Sequence, residues 1–315
     1  MNYIEQEIVL KTDSPYRHGV PLVVSSPLLR RLESTARPSV RMLLEGTSAS
    51  VGAPPAWLAR ASDIRTLGFS TKEGCSVLHV KAPTLGEAVP QLFEQQSLWP
   101  TPASPDDTAL QVMGRIAVAV RRQQLESDLY DRPLLKHYSA WSGLFRQELR
   151  SIEFPVANAQ LESIGQIDQE VTSNAKTLSD RTPSPRQVRV VGTLDMVRHS
   201  TRSFGLVLDS GDEIRGVLIE GTSEMLQGYF GRQITVLGKA IYRPSGTLLR
   251  LDASEILPSV EGREAFSKIP PALVRPYKPD RRPQTSKGGV AAFFGSWPGE
   301  ETDRELLAAL EEIRG

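Results

Sequence analysis

The chain has 315 residues, and its 37 basic and 37 acidic side chains give a formal net charge of zero. This balance excludes a global field that would draw the protein to nucleic acid or to an anionic membrane. The single cysteine, Cys75, excludes an intramolecular disulfide framework, so a reducing cytoplasm is the expected compartment. The length predicts two domains with additional tails rather than one domain.

The first residues and the apolar runs agree with a cytoplasmic location. The opening stretch MNYIEQEIVLK is acidic and strand-like, unlike a signal peptide. No apolar run of the sequence approaches the roughly 20 residues that a transmembrane helix needs. We therefore expect a soluble protein without a membrane partner.

Strands and helices mix without regular alternation over residues 1–155, which predicts an α+β domain. Residues 3–11 predict an opening strand. Residues 65–80 predict a hairpin that turns at Glu73-Gly74, because turn chemistry separates two short apolar runs.

Helical patterns occupy much of the same domain. Residues 27–32 and 40–44 predict two helical pieces that are separated by Pro38. The strongest helical periodicity of the chain covers residues 108–127. Pro133 then begins another helix, as proline often does at a first helical position.

No catalytic constellation is recognisable in the sequence. The histidines are scattered, without an i,i+4 pair or a nearby cysteine, at positions 18, 79, 137 and 199. Neither a GxGxxG segment nor a Walker motif is present, so no phosphate loop is predicted. Asp128, Asp131 and Arg132 indicate a structural salt-bridge and turn cluster where two helices join. We expect a protein that is not an enzyme and that holds no metal ion or other cofactor.

A polar segment with few aromatic residues follows this domain over residues 156–186. It ends in Thr182-Pro183-Ser184-Pro185, a composition that is typical of a linker. The segment therefore predicts a domain boundary, although part of it also fits a helix.

Residues 187–256 carry the one element order that points to a named architecture. Period-2 alternation predicts three strands, Thr222 is a candidate N-cap of a short helix, and two further strands follow. Glycines inside the strand patterns suit the bends of a small closed barrel, at positions 192, 205, 216 and 238. This β-β-β-α-β-β order resembles the OB-fold, a five-stranded barrel that often binds oligonucleotides. An SH3-like barrel is the alternative, but its helix does not normally lie between the third and fourth strands.

The predicted barrel carries one candidate nucleic-acid-binding patch. Eight basic and eight acidic residues between positions 187 and 255 leave it neutral, unlike most sequence-independent binders. A local cluster combines Arg198 and Arg202, in the loop between the first two strands, with Tyr242 and Arg243. These residues predict a small site for a phosphate or an acidic partner, and a solvated polar hairpin is the alternative interpretation.

The chain ends in two segments of different character. Residues 257–291 form a basic, proline-rich linker that we expect to be extended or disordered. Residues 292–315 predict a short amphipathic helix with a capping box at its start. A helix of this length is marginal alone, so it suits docking in a groove of a partner or packing on the protein's own body. The candidate partner-binding residues are Phe294, Trp297, Arg304, Leu306, Leu310, Ile313 and Arg314.

The segment Phe294-Gly295-Ser296-Trp297-Pro298-Gly299 and the acidic helix after it resemble the C-terminal toxin-binding tail of VapB-type antitoxins. In that family the tail lies along a PIN-domain ribonuclease and blocks its acidic, metal-dependent active site. The resemblance therefore implies a small toxin nuclease as partner, with Arg304 and Arg314 as the basic residues that face it. The chain is larger than these antitoxins, and it shows no small DNA-binding fold at its N-terminus.

Taken as a whole, the sequence predicts a non-enzymatic, antitoxin-like interaction protein that neutralises a partner through residues 292–315. A single-stranded nucleic-acid-binding protein that uses the barrel is the alternative. An enzyme acting through residues 1–155 is the third class, and the sequence nominates neither a nucleophile nor a base for it.

Overall fold

A computed structural model describes residues 2–13, 16, 19–49, 54–93, 103–146, 149–154, 165–219, 224–259 and 272. Met1–Val274 forms one compact unit, which contains both of the sheets that are described below. The predicted tail, and nearly all of the basic linker that precedes it, lie outside the described residues.

The first part of the chain is an antiparallel sheet with a layer of helices. Its strands are β1 (Tyr3–Thr12), β2 (Arg65–Lys72), β3 (Cys75–Pro83), β4 (Leu149–Glu153) and β5 (Gln166–Asp168). Its helices are α1 (Leu22–Glu45), α2 (Ala56–Ala61), α3 (Leu85–Ala88), α4 (Ala109–Arg121), α5 (Arg132–Ser139) and α6 (Gln169–Arg181), with 3-10 turns at Pro90–Leu92 and Ala140–Arg146. The strand order is β2-β3-β1-β4-β5. The predicted α+β class is confirmed.

The apolar face of this sheet is covered by the helices. Ile8 and Leu10 of β1 are fully buried, whereas Glu7 before them and Lys11 after them are exposed, as expected for a strand with one buried face. Trp141 is also fully buried, and its indole N–H donates to Thr35 Oγ1 at 2.9 Å. Each such large apolar side chain contributes about 1.5–3 kcal/mol when fully buried, so this core is the main stabilising feature of the first part.

The longest helix differs from the prediction. The sequence indicates two pieces separated by Pro38, but α1 continues through both Pro27 and Pro38. A proline inside a helix costs about 3 kcal/mol, because it removes a hydrogen bond and clashes with the preceding turn. Burial of one helix face offsets this cost, and that face includes Leu28, Leu32, Ala36 and Val40. The predicted break is wrong because tertiary packing outweighs local propensity.

The predicted hairpin is confirmed. Lys72 of β2 pairs with Cys75 of β3, and Glu73 and Gly74 between them have φ values of 51° and 77°. Two consecutive residues at positive φ are typical of a type I′ turn, whose twist matches that of the flanking strands.

Helix α4 is shorter than the predicted helix over residues 108–127. It begins after a capping box formed by Thr108 and Gln111, and it ends at Arg121. Gln123 then has a φ of 48°, a left-handed conformation that ends a helix.

The segment 156–186, predicted as a linker that in part also fits a helix, contains a strand and a helix in its second half. β5 and α6 occupy most of this half, and the side chain of Asp168 caps α6 by accepting a hydrogen bond from the Val171 N–H. Val171, Ala175 and Leu178 are fully buried against the first core. The apolar stripe of α6 is narrow, so polar residues dominate the composition of this segment. Composition alone therefore does not indicate the helix.

The second part of the chain forms a closed five-stranded barrel. Its elements are β6 (Arg186–Arg198), β7 (Ser203–Val207), β8 (Glu213–Leu218), α7 (Glu224–Gln227), β9 (Gln233–Tyr242) and β10 (Leu248–Pro258). The barrel closes in the order β10-β8-β7-β6-β9, with β10 and β8 parallel and the other neighbours antiparallel. The predicted order of three strands, a helix and two strands is confirmed.

Two glycines of the barrel are required by close packing. A Cβ on Gly238 of β9 would lie 2.2 Å from the carbonyl oxygen of Asp252 in β10. A Cβ on Gly216 of β8 would lie 2.1 Å from the ring of Phe204 in β7. The absence of a side chain at these positions lets neighbouring strands and the core ring approach the backbone.

Candidate functional site

The barrel meets the helical layer of the first part through the loop between β9 and β10. Arg243 Nη2 lies 2.5 Å from Asp128 Oδ1, in the loop that joins α4 and α5. Thr247 Oγ1 donates to Glu126 Oε2 at 2.7 Å. Hydrogen bonds from Ser245 and Thr247 lower the pKa of the Glu126 carboxyl group. We call this contact region, together with the ion pair described next, the seam.

A buried ion pair lies in the seam. Arg250 of β10 is 3% exposed, and its Nη2 lies 3.1 Å from Asp131 Oδ2, on a side chain with no exposed surface. Arg250 Nη2 also donates to Thr47 Oγ1 at 3.0 Å, and its Nε lies 2.7 Å from Asp252 Oδ1. Asp131 additionally caps α5, because its Oδ1 accepts from the Leu134 N–H at 3.1 Å. A buried charge of this kind is tolerated only with partners on several sides.

The sequence interpretation of Asp128 and Asp131 as salt-bridge residues is confirmed, but their partners lie in the barrel. Neither partner is visible in the local sequence, because Arg243 and Arg250 follow more than a hundred positions later. The third member of the cluster, Arg132, donates from Nη1 to Ser184 Oγ at 3.2 Å. The cluster therefore joins the two parts of the chain.

A cavity of about 600 Å³ opens beside the seam. Its wall combines the C-terminal end of α1, the start of β8 and the start of β10. Three arginines and three carboxylates line it together with apolar side chains, and the full set is Met42, Gly46, Asp128, Leu208, Ser210, Asp212, Glu213, Ile214, Arg215, Arg243, Leu248, Leu249 and Arg250. A volume of this size suits a small molecule, because such sites usually enclose about 300–1,000 Å³.

Arg215 differs from the other two arginines of the cavity. Among the described residues its guanidinium makes no hydrogen bond or ion pair, and its Nε is buried without a partner. The group lies against the backbone of Gly46, where a Cβ would be 3.1 Å from Arg215 Cζ. Gly46 has a φ of 75° at the C-cap of α1, where the helix dipole favours a cation. Burial lowers the pKa of Arg215; Asp128 opposes this shift, and Arg250 and Arg198 add to it.

The residues predicted to bind nucleic acid are not presented together on an open surface. Tyr242 is 2% exposed in the barrel core, so its ring has no face on which a base could stack. Arg243 is ion-paired with Asp128 in the seam. Arg198 Nη2 donates to the carbonyl oxygen of Leu92 at 2.8 Å, and burial lowers the pKa of Arg198.

Arg202 is the member of this predicted set that lies on the surface. Its φ is 53°, in the loop between β6 and β7, and its Nη2 donates to the carbonyl oxygen of Ile219 at 3.2 Å. The predicted partner-binding residues of the tail, from Phe294 to Arg314, lie outside the described residues.

A polar constellation that the sequence does not reveal lies on the exposed face of the first sheet. The distance between Ser70 Oγ and His79 Nε2 is 2.6 Å, and His79 Nδ1 lies 4.0 Å from Glu7 Oε1. Strand register brings Glu7 and His79 together, because Glu7 of β1 is the partner of His79 in β3. A serine, a histidine and a carboxylate are the components of an acyl-transfer triad. Here the carboxylate is beyond hydrogen-bond distance of the ring and is paired with Lys72 Nζ at 3.0 Å, so the arrangement does not support catalysis.

Other chemistry in the described part of the chain is limited. No group of three or more His, Cys, Asp and Glu side chains among the described residues could hold a metal ion. Cys75 is a free, half-buried thiol. None of the helices in the described ranges is both long enough and apolar enough to cross a membrane.

Comparison with family models, with curated proteins and with solved structures finds no match to this chain.

Proposed function

We propose that this protein is a non-enzymatic, antitoxin-like interaction protein. In this proposal the first part and an OB-type barrel form one scaffold, and residues 292–315 bind and neutralise a partner. A small PIN-type nuclease is the candidate partner, met in the cytoplasm that the single Cys75 favours.

The seam is the observation that carries this proposal over nucleic-acid binding. In an OB-fold, the loops after the first and fourth strands flank the ligand-binding face. Here Arg198, the last residue of β6 before the first of these loops, donates to the Leu92 carbonyl, and Arg243 of the second loop is paired with Asp128. The first part of the chain therefore contacts both positions that would flank a bound nucleic acid. The barrel is better suited to serve as part of a scaffold than to bind single-stranded nucleic acid.

The C-terminal residues supply what a scaffold needs in order to capture a partner. Trp297, Leu306, Leu310 and Ile313 are large apolar anchors on a segment that follows a basic, proline-rich linker. Large apolar anchors of this kind usually supply most of the binding energy of a helix in a groove. Arg304 and the nearby Arg314 supply the positive charge that an acidic nuclease site would attract.

Removal of residues 292–315 is expected to abolish partner binding and to leave the scaffold folded. The full-length protein and the truncated protein, both tagged, are purified from native lysate, and the co-purified proteins are compared by mass spectrometry. We expect a small nuclease to be lost with the tail, while the thermal unfolding transition of the scaffold is unchanged.

A double variant tests whether the apolar anchors, rather than the presence of the tail alone, bind the partner. Trp297→Ala combined with Leu310→Ala should release the partner as the truncation does. Glu311→Gln keeps the anchors and serves as the matched control. Identical partners for the full-length and truncated proteins would refute the proposal.

The alternative, a single-stranded nucleic-acid-binding protein, rests on Arg198 and Arg202. We expect a labelled oligonucleotide to show no salt-sensitive binding through this patch, because Tyr242 is in the core and Arg243 is ion-paired. Fluorescence anisotropy at low and raised salt is the measurement. Tight binding that disappears in the Arg198→Ala, Arg202→Ala double variant would reverse the order of the two proposals.

A further inference from the structure

The cavity beside the seam contains a cationic group, the guanidinium of Arg215, that does not help to join the barrel to the first part of the chain. Arg243 and Arg250 each hold a carboxylate, but Arg215 has neither a hydrogen bond nor an ion pair among the described residues. The Nε of Arg215 is buried without a partner, and leaving a buried donor without an acceptor costs free energy. We propose that this cavity binds a small phosphorylated molecule, and that Arg215 holds its phosphate group. This site lies within the described residues and goes beyond the proposed function.

Two further arginines add positive charge near Arg215, in a wall that also carries the carboxylates of Asp128, Asp212 and Glu213. The positive charges of Arg250 and Arg198 both lower the pKa of Arg215 by repulsion. Both side chains are held in place by hydrogen bonds to the first part of the chain. The negative charge of Asp128 raises the pKa of Arg215, but the Asp128 carboxylate is ion-paired with Arg243 at 2.5 Å. The planar guanidinium fork matches two oxygens of a phosphate group, which makes such contacts stronger than neutral hydrogen bonds.

The remaining wall favours an organic phosphate over the inorganic ion. The cavity of about 600 Å³ is much larger than a phosphate group, and it falls in the usual range for small-molecule sites. Its apolar part suits a ring or a carbon skeleton, and consists of Met42, Leu208, Ile214, Leu248 and Leu249. Glu213, the first residue of β8, and Asp212 just before it are exposed carboxylates that can accept hydrogen bonds from hydroxyl or amino groups. Phosphomonoesters of nucleoside or sugar size combine these features.

Ligand-dependent thermal unfolding and calorimetry of the full-length protein test the site. The probes are inorganic phosphate, adenosine and cytidine monophosphates, ribose 5-phosphate, and the corresponding nucleosides without phosphate. We expect inorganic phosphate to raise the melting temperature, and at least one phosphomonoester to bind more tightly than inorganic phosphate. The nucleosides should have no effect. Arg215→Gln should weaken phosphomonoester binding at least about tenfold, because a hydrogen bond to a charged group is lost.

Two variants keep this test specific. Arg232→Gln removes the same charge from an exposed position of the barrel, and binding should be unchanged. Arg215→Lys keeps the charge and should retain part of the affinity. Arg215→Gln is expected to fold, because it removes a charge without a partner, and its melting temperature without ligand should equal or exceed that of the wild type.

Several outcomes would overturn the proposal. They are the absence of any effect of inorganic phosphate, a phosphate effect that no phosphomonoester exceeds, and equal weakening by Arg215→Gln and Arg232→Gln. Stabilisation by a single-stranded oligonucleotide alone would also overturn it. The protein that lacks residues 292–315 should bind the same probes, so failure of this site and failure of the tail are separate results.

Discussion

Asp131→Ala is expected to lower the free energy of unfolding by about 3–5 kcal/mol, the usual cost of removing one partner of a buried ion pair. The substitution leaves the buried Arg250 with Asp252 as its remaining carboxylate. It also removes the cap of α5 and the acceptor of the Ser48 N–H, which lies 3.1 Å from Asp131 Oδ2. Urea unfolding followed by circular dichroism measures the change, and a single transition is expected because Met1–Val274 is one compact unit.

An exposed ion pair provides the matched control. Asp180 and Lys176 of α6 are bonded at 2.6 Å, but their side chains are 62% and 73% exposed. Asp180→Ala should therefore change the stability by no more than about 0.5 kcal/mol. Asp131→Asn retains an acceptor for the α5 cap and should fall between the two alanine variants. If Asp131→Ala costs no more than Asp180→Ala, the buried pair does not hold the barrel to the first part.

Gly238→Ala is expected to destabilise the protein by about 3 kcal/mol, at the upper end of the usual cost of overpacking. The new Cβ would be 2.2 Å from the carbonyl oxygen of Asp252 and 2.9 Å from the Cα of Ala253. Both atoms belong to the backbone of β10, so a change of side-chain rotamer cannot relieve the contact. The two strands would have to separate where β9 and β10 pair. Thermal unfolding by calorimetry measures the loss.

Gly143→Ala is the matched control for this substitution. Gly143 lies in the 3-10 turn Ala140–Arg146, has no positive φ, and has no atom within 4 Å of an added Cβ. We expect it to be neutral or to stabilise the protein by up to about 1 kcal/mol, since alanine restricts the unfolded chain. A Gly238→Ala variant as stable as Gly143→Ala would contradict the packing of β9 against β10.

The elements of the barrel were predictable because their signals are local. Alternation with a period of two marks each strand, and turn residues such as those after Leu208 separate the strands. Local signals did not predict that α1 is continuous, and they indicated α6 only weakly because its apolar stripe is narrow. Pro38 indicates a break by local rules, and the three fully buried residues of α6 are outnumbered by polar neighbours.

The candidate site was less accessible to sequence reasoning than the fold, because it depends on contacts between distant residues. Thr47 and Arg250 meet although they are 203 positions apart in the chain. Arg243 was predicted as a binding residue from its loop position, but nothing nearby in the sequence indicates its pairing with Asp128. Arg215 lies among alternating strand residues and has no local feature that distinguishes it from a solvated arginine. Covariation between positions 131 and 250 in related sequences would have indicated the contact between Asp131 and Arg250.

The long separation between the partners of the seam also affects how the protein is made. During translation, the first part of the chain, which contains Asp131 and the helix α5 that it caps, is synthesised before the barrel. Its cationic partner Arg250 belongs to the last strand of the barrel, so this partner is synthesised much later. A nascent chain therefore carries an uncompensated carboxylate at the future interface until β10 emerges. We therefore expect the stabilising contribution of the Asp131–Arg250 pair to arise only after nearly all of Met1–Val274 has been synthesised.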